Sequence, residues 1–281
     1  MNLFVNEELL AQTTALAAYS DRGLLLGDGL FETIRAENGA LLFFDAHYQR
    51  LKKAALVLGM NFKLSLELLK SRCEQLIIAN ELKNSTASLR ITLTRGHSNR
   101  GIDIPEKQNL TLLIHAVPYN SINTNPKAVY ITKMVRNEYS PIVHIKTTNY
   151  LELILAKKQA LEQGYDDGLL LNTKGAITEL TTANIFIVIG DKIITPSLTD
   201  GVLPGITRQT ILTIAQDLNL DILEKTVYPK DILHASECFV TNSLIEIQSI
   251  SSINEHRFLI GSAAKKTEGV KEAYYRYKPY S

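Results

Sequence analysis

Several short segments of the chain carry residue types that can do chemistry. Lys146 follows a short strand-like run, 141–145, and precedes Thr147, Thr148 and Asn149, a capping cluster before a predicted helix. A neutral lysine amine held at such a place can attack a carbonyl carbon and form a Schiff base. The alternative is an ordinary solvated lysine.

Arg50 lies at the edge of the apolar stripe of a predicted helix, which begins with Asp45 as its N-cap and ends near Leu58. A guanidinium there is costly to remove from water unless it meets an anion. Its fork geometry suits a phosphate or a carboxylate. The alternative is an arginine whose head group reaches water past the apolar surface.

Two further segments are suited to bind charged groups. Gly205, Ile206 and Thr207 open a predicted helix, and the free N–H groups of a helix start can bind a phosphate. Glu179 ends a short predicted strand, where its carboxylate could pair with a buried cation or a pyridinium. An ordinary helix start and a solvated glutamate are the alternatives.

A glycine-rich segment from Asp21 leads into a strand predicted over 30–35. Because side chains alternate along a strand, Phe31, Thr33 and Arg35 share one face. Glycine clustering alone is also typical of a tight loop before a strand. Threonine simply suits a strand as well.

The composition excludes several classes of protein. The 281 residues include 30 Lys and Arg against 29 Asp and Glu, a net charge of +1, which argues against a nucleic-acid partner. Two cysteines predict neither a disulfide framework nor a metal site. No run approaches the ~20 apolar residues that cross a bilayer. We therefore expect a soluble, reduced, cytoplasmic protein with no membrane partner.

The elements that must position these residues predict an α+β fold with two domains. The predicted domains are an N-terminal one over 1–117 and a C-terminal one over 127–281. A polar, turn-rich linker, 118–126, separates them. Helices are predicted over about 45–58, 65–82, 149–163 and 206–218, together with a polar C-terminal helix. Strands are predicted over 30–35, 40–44, 88–94, 110–117, 129–135, 168–171, 176–179, 184–189, 192–195 and 239–242.

Taken together, these segments resemble the class IV (fold type IV) pyridoxal-phosphate enzymes. That family includes branched-chain aminotransferases, D-amino acid aminotransferases and 4-amino-4-deoxychorismate lyases. The resemblance covers about residues 2–255. It rests on the glycine-rich segment Asp21–Glu32, His47-x-x-Arg50-Leu51, Lys146-Thr-Thr-Asn149-Tyr150, Glu179-x-x-x-x-Asn184-x-Phe186, Pro204-Gly-Ile-Thr-Arg208 and Thr241-Asn-Ser-Leu244.

The resemblance implies a two-domain fold with a smaller N-terminal α/β domain and a larger, β-barrel-like α/β domain that binds pyridoxal 5'-phosphate. It also implies a role for each matching residue. Lys146 is the Schiff-base lysine, Arg50 binds the phosphate and Glu179 faces the pyridine nitrogen. The other cofactor-binding positions are Tyr150, Ile206, Thr207, Asn242 and Ser243.

Two positions resemble the lyases in particular. Thr33 stands where aminotransferases commonly have Gly or Val, and its hydroxyl becomes a candidate catalytic group. Asn242-Ser243-Leu244 stands where branched-chain aminotransferases have a Gly-Thr-Ala type. Phe31 and Arg100 are the candidate substrate-binding residues, and no metal ligands are expected.

The resemblance thus implies a lyase that converts 4-amino-4-deoxychorismate to 4-aminobenzoate and pyruvate in folate biosynthesis. A class IV aminotransferase for branched-chain or D-amino acids is the main alternative. A cofactor-binding homologue without activity is a third possibility. A homodimer with a small-molecule substrate is expected, because the family completes its sites across a dimer.

Overall fold

The computed structural model describes residues 1–12, 19–98, 101–120, 125–217 and 220–279, and within them the chain forms two compact units. The first unit comprises Met1–Asn120, Ile145–Asn149 and Pro279–Ser281, and the second comprises Ser121–His144 and Tyr150–Lys278. Segment 145–149 therefore groups with the first unit, although a single boundary at 118–126 assigns it to the second.

The first unit is an antiparallel sheet with helices. In chain order its elements are β1 (Asn2–Val5), β2 (Glu8–Ala11), α1 (Arg22–Leu26), β3 (Gly29–Glu37), β4 (Ala40–Leu41), α2 (Phe44–Val57), α3 (Leu66–Ala79), β5 (Thr86–Thr94) and β6 (Thr111–Pro118). The strand order is β2-β1-β6-β5-β3-β4, and every neighbouring pair is antiparallel.

The hydrophobic core of the first unit covers one face of this sheet. Leu30, Ile34 and Ala36 of β3 are buried in one apolar cluster with residues of α2, α3, β5 and β6. A two-residue turn follows β3. Asn38 and Gly39 have φ values of 49° and 85°, the left-handed backbone that an Asn-Gly hairpin turn requires.

Local sequence determines the start of α3 but not the start of α2. Ser65 is the N-cap of α3, and its side chain accepts a hydrogen bond from the N–H of Leu68. The predicted N-cap of α2 is wrong by two residues. Phe43, with φ 53°, occupies that position, and Asp45 lies in the first turn, where a carboxylate favours the positive end of the helix dipole.

The second unit is a mixed sheet with helices. Its elements are β7 (Lys127–Arg136), α4 (Leu151–Glu162), β8 (Asp167–Asn172), β9 (Ile177–Leu180), β10 (Asn184–Ile189), β11 (Lys192–Thr195), α5 (Ile206–Asp217), β12 (Ile222–Glu224), α6 (Pro229–Ile232), β13 (Glu237–Asn242), β14 (Glu246–Ile253), β15 (His256–Arg257) and α7 (Lys265–Tyr277). The strand order is β12-β11-β10-β13-β14-β7-β8-β9, and β15 pairs with β14. The sheet curls, because the N–H of Leu180 at the end of β9 bonds to the carbonyl of Ala183 before β10.

The two faces of β13 are buried against different partners. Cys238 and Val240 belong to the apolar cluster inside the curled sheet. On the other face, the ring of Phe239 stacks on that of Phe186 with centroids 4.8 Å apart. Helices α5 and α7 both pack against β13. The far end of β13 therefore leads directly to the candidate site residues of this unit.

Candidate functional site

Lys146 is positioned by backbone pairing with β3 in the first unit. Its backbone carbonyl accepts a hydrogen bond from the N–H of Phe31 at 2.9 Å, and Thr147 forms an antiparallel bridge with Leu30. The segment thereby pairs with the start of β3, at the edge that β4 does not reach. The Nζ atom of Lys146 lies 4.4 Å from the centroid of the Phe31 ring.

The strand-like run predicted before Lys146 is wrong. Residues 141–145 form turns, because the N–H of Val143 bonds back to the carbonyl of Ser140 and none of the strands in the described part of the chain pairs with them. Nδ1 of His144 is also bonded to the carbonyl of Val202. Pairing with β3, rather than the preceding run, therefore fixes Lys146.

Arg50 meets an anion from its own chain. Its Nε lies 2.8 Å from Oε1 of Glu32, and its Nη2 lies 2.6 Å from Oε2, so the guanidinium and the carboxylate form a fork-to-fork pair. Nδ1 of His47 is also 2.6 Å from Oε2. Glu32 and His47 are each 1% exposed. The structure therefore places Arg50 in an ionic cluster with two buried partners. The alternative of a solvated arginine does not apply.

The electrostatics of this cluster follow from burial and from the guanidinium. Burial alone raises the pKa of Glu32, but the charge and hydrogen bonds of Arg50, with the bond from His47, lower it to about 2. Burial lowers the pKa of His47 against the opposing effect of Glu32. His47 is therefore neutral at pH 7, and its Nδ1–H donates to the ionised carboxylate.

The other face of β3 carries Phe31 and Thr33. Arg90 of β5 lies in register opposite Thr33, and its Cζ is 3.7 Å from the centroid of the Phe31 ring. His115 of β6 follows Arg90 in the same row. Burial lowers the pKa of His115, and the charge of Arg90 lowers it further. This face thus combines an aromatic ring, a hydroxyl and two cations, Arg90 and Lys146.

The glycine-rich segment builds a second ionic network in the first unit. Asp21 caps the short helix α1 by accepting from the N–H of Gly23. The Nε atoms of Arg22 and Arg95 lie 2.8 and 2.7 Å from the same oxygen, Oδ2 of Asp28. Burial raises the pKa of Asp28, and the two guanidinium groups outweigh it, so the pKa is lowered.

That network also holds the loop after β5. Arg22 donates to the backbone carbonyls of Gly101, Ile102 and Asp103. The candidate substrate residue Arg100 lies outside the described residues.

Glu179 of β9 is buried in the second unit, and three groups hold it. Nη2 of Arg136 lies 3.0 Å from Oε1. The N–H of Leu203 and Nδ2 of Asn184 donate to Oε2 at 3.1 and 3.3 Å. Arg136 itself donates to the carbonyl of Gly201. This ion pair holds an ionised carboxylate, which is the form that can pair with a protonated ring nitrogen.

The start of α5 has the features of a phosphate site. A Cβ atom on Gly205 would lie 2.0 Å from Oδ1 of Asn184, so only glycine allows this approach before Ile206. Thr207, in the first turn, is buried. Among the described residues, Oγ1 of Thr241 on β13 is a buried hydroxyl with no hydrogen-bond partner. Free helix N–H groups and hydroxyls are the donors that a phosphate needs.

The turn between β13 and β14 is held by Asn242. Its Oδ1 accepts from the N–H groups of Leu244 and Ile245, both at 2.9 Å, and its Nδ2 donates to the carbonyl of Thr182. The Asn242 side chain therefore shapes the turn, and half-buried Ser243 is the hydroxyl that the turn presents. Tyr150 lies immediately before α4, as its N-cap residue.

The predicted residues thus fall into two sets. In the first unit Lys146 lies beside Phe31, on the strand face that also carries Thr33, whereas Arg50 pairs with Glu32, whose side chain lies on the opposite face of β3. Glu179, Thr207, Ile206, Asn242, Ser243 and Tyr150 all belong to the second unit.

Three residues of these sets were not predicted. Glu32 carries a sequence signal, because it occupies a core-facing position of β3 between Leu30 and Ile34, where a carboxylate requires a buried cation. Arg90 and Arg136 carry none, since an arginine on a strand is usually solvated.

No group of three or more metal-ligating side chains occurs among the residues that the structure describes. None of the helices in the described part of the chain combines the length and the apolar composition needed to cross a membrane.

Comparisons with known proteins agree on one family. The family model described as Amino-transferase class IV matches residues 29–253. A probable branched-chain-amino-acid aminotransferase of Rickettsia bellii is 32% identical over 281 residues, covering 97% of this chain and 94% of that protein. An aminodeoxychorismate lyase of Bacillus subtilis is 28% identical over 255 residues, covering 90% of this chain and 87% of that protein.

The solved structures confirm the fold. A branched-chain aminotransferase of Thermoproteus uzoniensis, solved with norvaline, is 28% identical with a TM-score of 0.91, covering 98% of this chain and 94% of that one. The predicted α+β, fold type IV architecture is therefore confirmed. Pyridoxal phosphate is the cofactor of this family, and structures of the same fold include one with pyridoxamine 5'-phosphate.

Proposed function

Because the chain belongs to the class IV aminotransferase family, we propose that it binds pyridoxal 5'-phosphate and acts as an aminodeoxychorismate lyase. The reaction releases 4-aminobenzoate and pyruvate from 4-amino-4-deoxychorismate. The observation that carries the choice of lyase is Thr33, two residues from Phe31 on the strand face whose aromatic ring lies beside Lys146 Nζ. A hydroxyl at this position can serve the departing pyruvate oxygen, which Gly or Val cannot do.

The residues present fit the cofactor by their chemistry. In the first unit, Lys146 supplies the amine and Arg50 a guanidinium for the phosphate. In the second unit, Glu179 supplies an ionised carboxylate for the ring nitrogen. The N–H groups of Ile206 and Thr207 supply phosphate donors. Gly205 has no side chain to block the approach of the phosphate, and Thr241 offers a buried hydroxyl.

Further contacts to the cofactor come from the other matching positions. Ser243 offers its hydroxyl to the phosphate, and Asn242 sets the turn that carries it. Tyr150 offers a hydroxyl to the phenolic oxygen of the cofactor. These are the roles that the family resemblance implies for them.

The bound cofactor supplies an electron sink for a carbanion at the amine-bearing carbon of the substrate. Lys146 Nζ accepts the proton from that carbon. Glu179 keeps the ring nitrogen protonated, because Arg136 holds its carboxylate ionised. Thr33 donates a hydrogen bond to the enolpyruvyl oxygen as its bond to the ring breaks. Arg90 provides a cation for a substrate carboxylate on the same strand face.

A class IV aminotransferase is the second candidate. It is supported by the Rickettsia relative, whose identity of 32% exceeds that of the Bacillus lyase. The same lysine, carboxylate and phosphate donors serve both reactions, because both begin with proton removal from the amine-bearing carbon. The two functions differ in the step that follows. In the lyase, the face of β3 that carries Phe31 and Thr33 assists the loss of the enolpyruvyl group.

The deciding experiment follows both reactions with the same enzyme preparation. Pyruvate released from enzymatically made 4-amino-4-deoxychorismate is coupled to lactate dehydrogenase, and transamination is measured with D-alanine or leucine and 2-oxoglutarate. We expect brisk pyruvate release and slow transamination. The reverse result, fast transamination with no pyruvate from aminodeoxychorismate, would refute the lyase and support the aminotransferase.

A lysine variant tests the cofactor role separately. Lys146→Ala should abolish both activities and the visible absorbance of the lysine-bound cofactor. Lys158→Ala, which removes an exposed lysine paired with Glu162 on α4, is the matched control and should retain both. An absorbance band that survives in Lys146→Ala would contradict the cofactor assignment.

We also propose that the enzyme is a cytoplasmic homodimer that supplies 4-aminobenzoate for folate biosynthesis. Exposed apolar side chains in the first unit support a partner surface, namely Leu24 and Leu25 of α1 and Ile102 and Ile104 in the loop after β5. Sedimentation equilibrium should give twice the chain mass, and a monomer at micromolar concentration would refute the dimer.

A further inference from the structure

The C-terminal end of α7 carries an ion pair that is almost fully buried. Nζ of Lys278 lies 2.7 Å from Oε1 of Glu246, and the two side chains are 3% and 6% exposed. The N–H of Lys278 bonds to the carbonyl of Tyr274, so the last turn of the helix fixes the lysine backbone. Burying two charges costs desolvation energy that apolar side chains would avoid, so a gain in stability alone does not account for this pair.

Glu246 is constrained as strongly as its partner. Its φ of 59° lies in the left-handed region, which side chains other than Gly and Asn rarely adopt. It begins β14 directly after the turn and stands opposite Asn242 in the strand register. Because Asn242 Oδ1 binds two N–H groups inside the turn, the turn is fixed internally by Asn242 and externally by Lys278.

Helix α7 is attached at its two ends to the two strands that flank this turn, β13 and β14. At its start, Oε2 of Glu237 on β13 accepts from the N–H and the hydroxyl of Thr267, at 2.7 and 2.8 Å. At its end, Lys278 binds Glu246. The helix also packs against α5, whose first turn holds Thr207. One helix therefore supports both elements to which the proposed function assigns phosphate binding.

We propose that Lys278 is a positioning residue, which acts through Glu246 to hold the β13–β14 turn so that Ser243 reaches the phosphate group of the cofactor. This inference rests on the proposed cofactor site. It assigns to the end of α7 a specific effect on the phosphate, distinct from any effect on the pyridine ring.

The test compares the affinity for pyridoxal 5'-phosphate with that for pyridoxal, which lacks the phosphate. Both are titrated by fluorescence against wild type and Lys278→Met. We expect Lys278→Met to weaken pyridoxal 5'-phosphate about tenfold, as for one lost hydrogen bond to a charged group, with pyridoxal binding unchanged. Lys278→Arg should restore part of the loss, since it keeps the charge.

Two further variants separate positioning from stability. Lys271→Met is the matched control, because it removes a partly buried pair with Glu268 from the same helix, and it should leave the affinity ratio unchanged. Lys278→Met combined with Glu246→Gln removes both charges, so no charge is left buried alone. We expect this double variant to fold and to show the same selective loss of phosphate-dependent affinity.

The outcomes separate the two proposals. If wild type does not bind pyridoxal 5'-phosphate, the proposed function and this inference both fail. If wild type binds it and every Lys278 variant that folds keeps the wild-type ratio, the inference fails alone. Equal weakening of both ligands by Lys278→Met would also overturn it, because that result indicates a general loss of structure.

Discussion

Glu32 and Arg50 form a fork-to-fork ion pair between β3 and α2, in which two of the three guanidinium nitrogens, Nε and Nη2, lie within 2.8 Å of the carboxylate of Glu32, a residue that is 1% exposed. The residue that the family resemblance assigns to phosphate binding is thus oriented by its own chain before any ligand arrives. Pre-orientation of this kind reduces the entropy lost when an anion binds.

Glu32→Gln should weaken both the fold and the cofactor site. The amide leaves the guanidinium of Arg50 without its buried counter-charge, so the free energy of unfolding should fall by about 3 kcal/mol. Affinity for pyridoxal 5'-phosphate should fall as well, because Arg50 loses its fixed orientation. Denaturant titration and cofactor titration measure the two effects.

The control for that change lies on the same strand. Glu37→Gln removes the partner of Arg35, a pair whose side chains are 12% and 14% exposed. Glu37→Gln should lower the free energy of unfolding less than Glu32→Gln does, and it should leave cofactor affinity unchanged. Equal effects of the two glutamine variants on affinity would show that Glu32 has no special role.

The cluster also makes stability depend on pH. Glu32 has an ordinary pKa of 4.5 and a folded pKa of about 2, so its contribution is fully present above 4.5 and is lost as pH falls toward 2. His47 acts in the same direction, because its lowered folded pKa means that the unfolded chain takes up a proton first as pH falls below its ordinary 6.5.

Urea unfolding at pH 7, 4.5 and 3 checks this prediction. The stability difference between wild type and Glu32→Gln should be largest at pH 7 and shrink steadily in acid. A difference that stays constant down to pH 3 would contradict the assignment of the acid-sensitive step to Glu32.

Thr33→Val separates the two candidate functions. The change keeps the β-branched shape that suits β3 and removes only the hydroxyl. Pyruvate release from aminodeoxychorismate should fall at least about tenfold, the cost of one lost hydrogen bond in the transition state. Cofactor absorbance should remain.

Ser88→Ala is the companion variant, since Ser88 lies on β5 in register with Arg35 on the same face of the sheet. It should leave pyruvate release near the wild-type rate. A Thr33→Val enzyme with the full wild-type rate would remove the observation on which the lyase proposal depends.

Glu179→Gln should slow the chemistry more than it weakens binding. The amide cannot keep a ring nitrogen protonated, so turnover should fall by about 100-fold, typical of losing one pre-oriented electrostatic group. Glu138→Gln is the comparison, because Glu138 is also buried in the second unit but binds Thr173. That variant should lower the melting temperature and leave turnover largely intact.

Much of the fold could be predicted where the local sequence determines the structure. The Asn38-Gly39 turn and the Ser65 cap are each set by a few neighbouring residues. Strand β14 was not predicted, because Glu246–Ile253 mixes polar and apolar residues without a strict alternation. Its pairing with β13 on one edge and with β7, distant in the sequence, on the other makes it a strand.

The residues of the candidate site could also be predicted only in part. Lys146 and Glu179 could be singled out from residue type and from the family motifs. Their partners could not, since Arg136 is 43 residues from Glu179 and no periodic pattern links them. The N-cap of α2, Phe43, could not be predicted from the local sequence either. Core packing of the residues next to Phe43 overrides the usual preference for a polar side chain at an N-cap.

The placement of Ile145–Asn149 limits where the chain can be divided. The first unit is not one continuous stretch of sequence, because segment Ile145–Asn149, which pairs with the start of β3, follows the first 24 residues of the second unit's range. A gene segment ending at Asn120 would encode a sheet with an uncovered edge at Gly29–Phe31, prone to pair with other chains. Lys146 and strand β3 therefore stand on opposite sides of a stretch of the second unit, and a cut at Asn120 separates them.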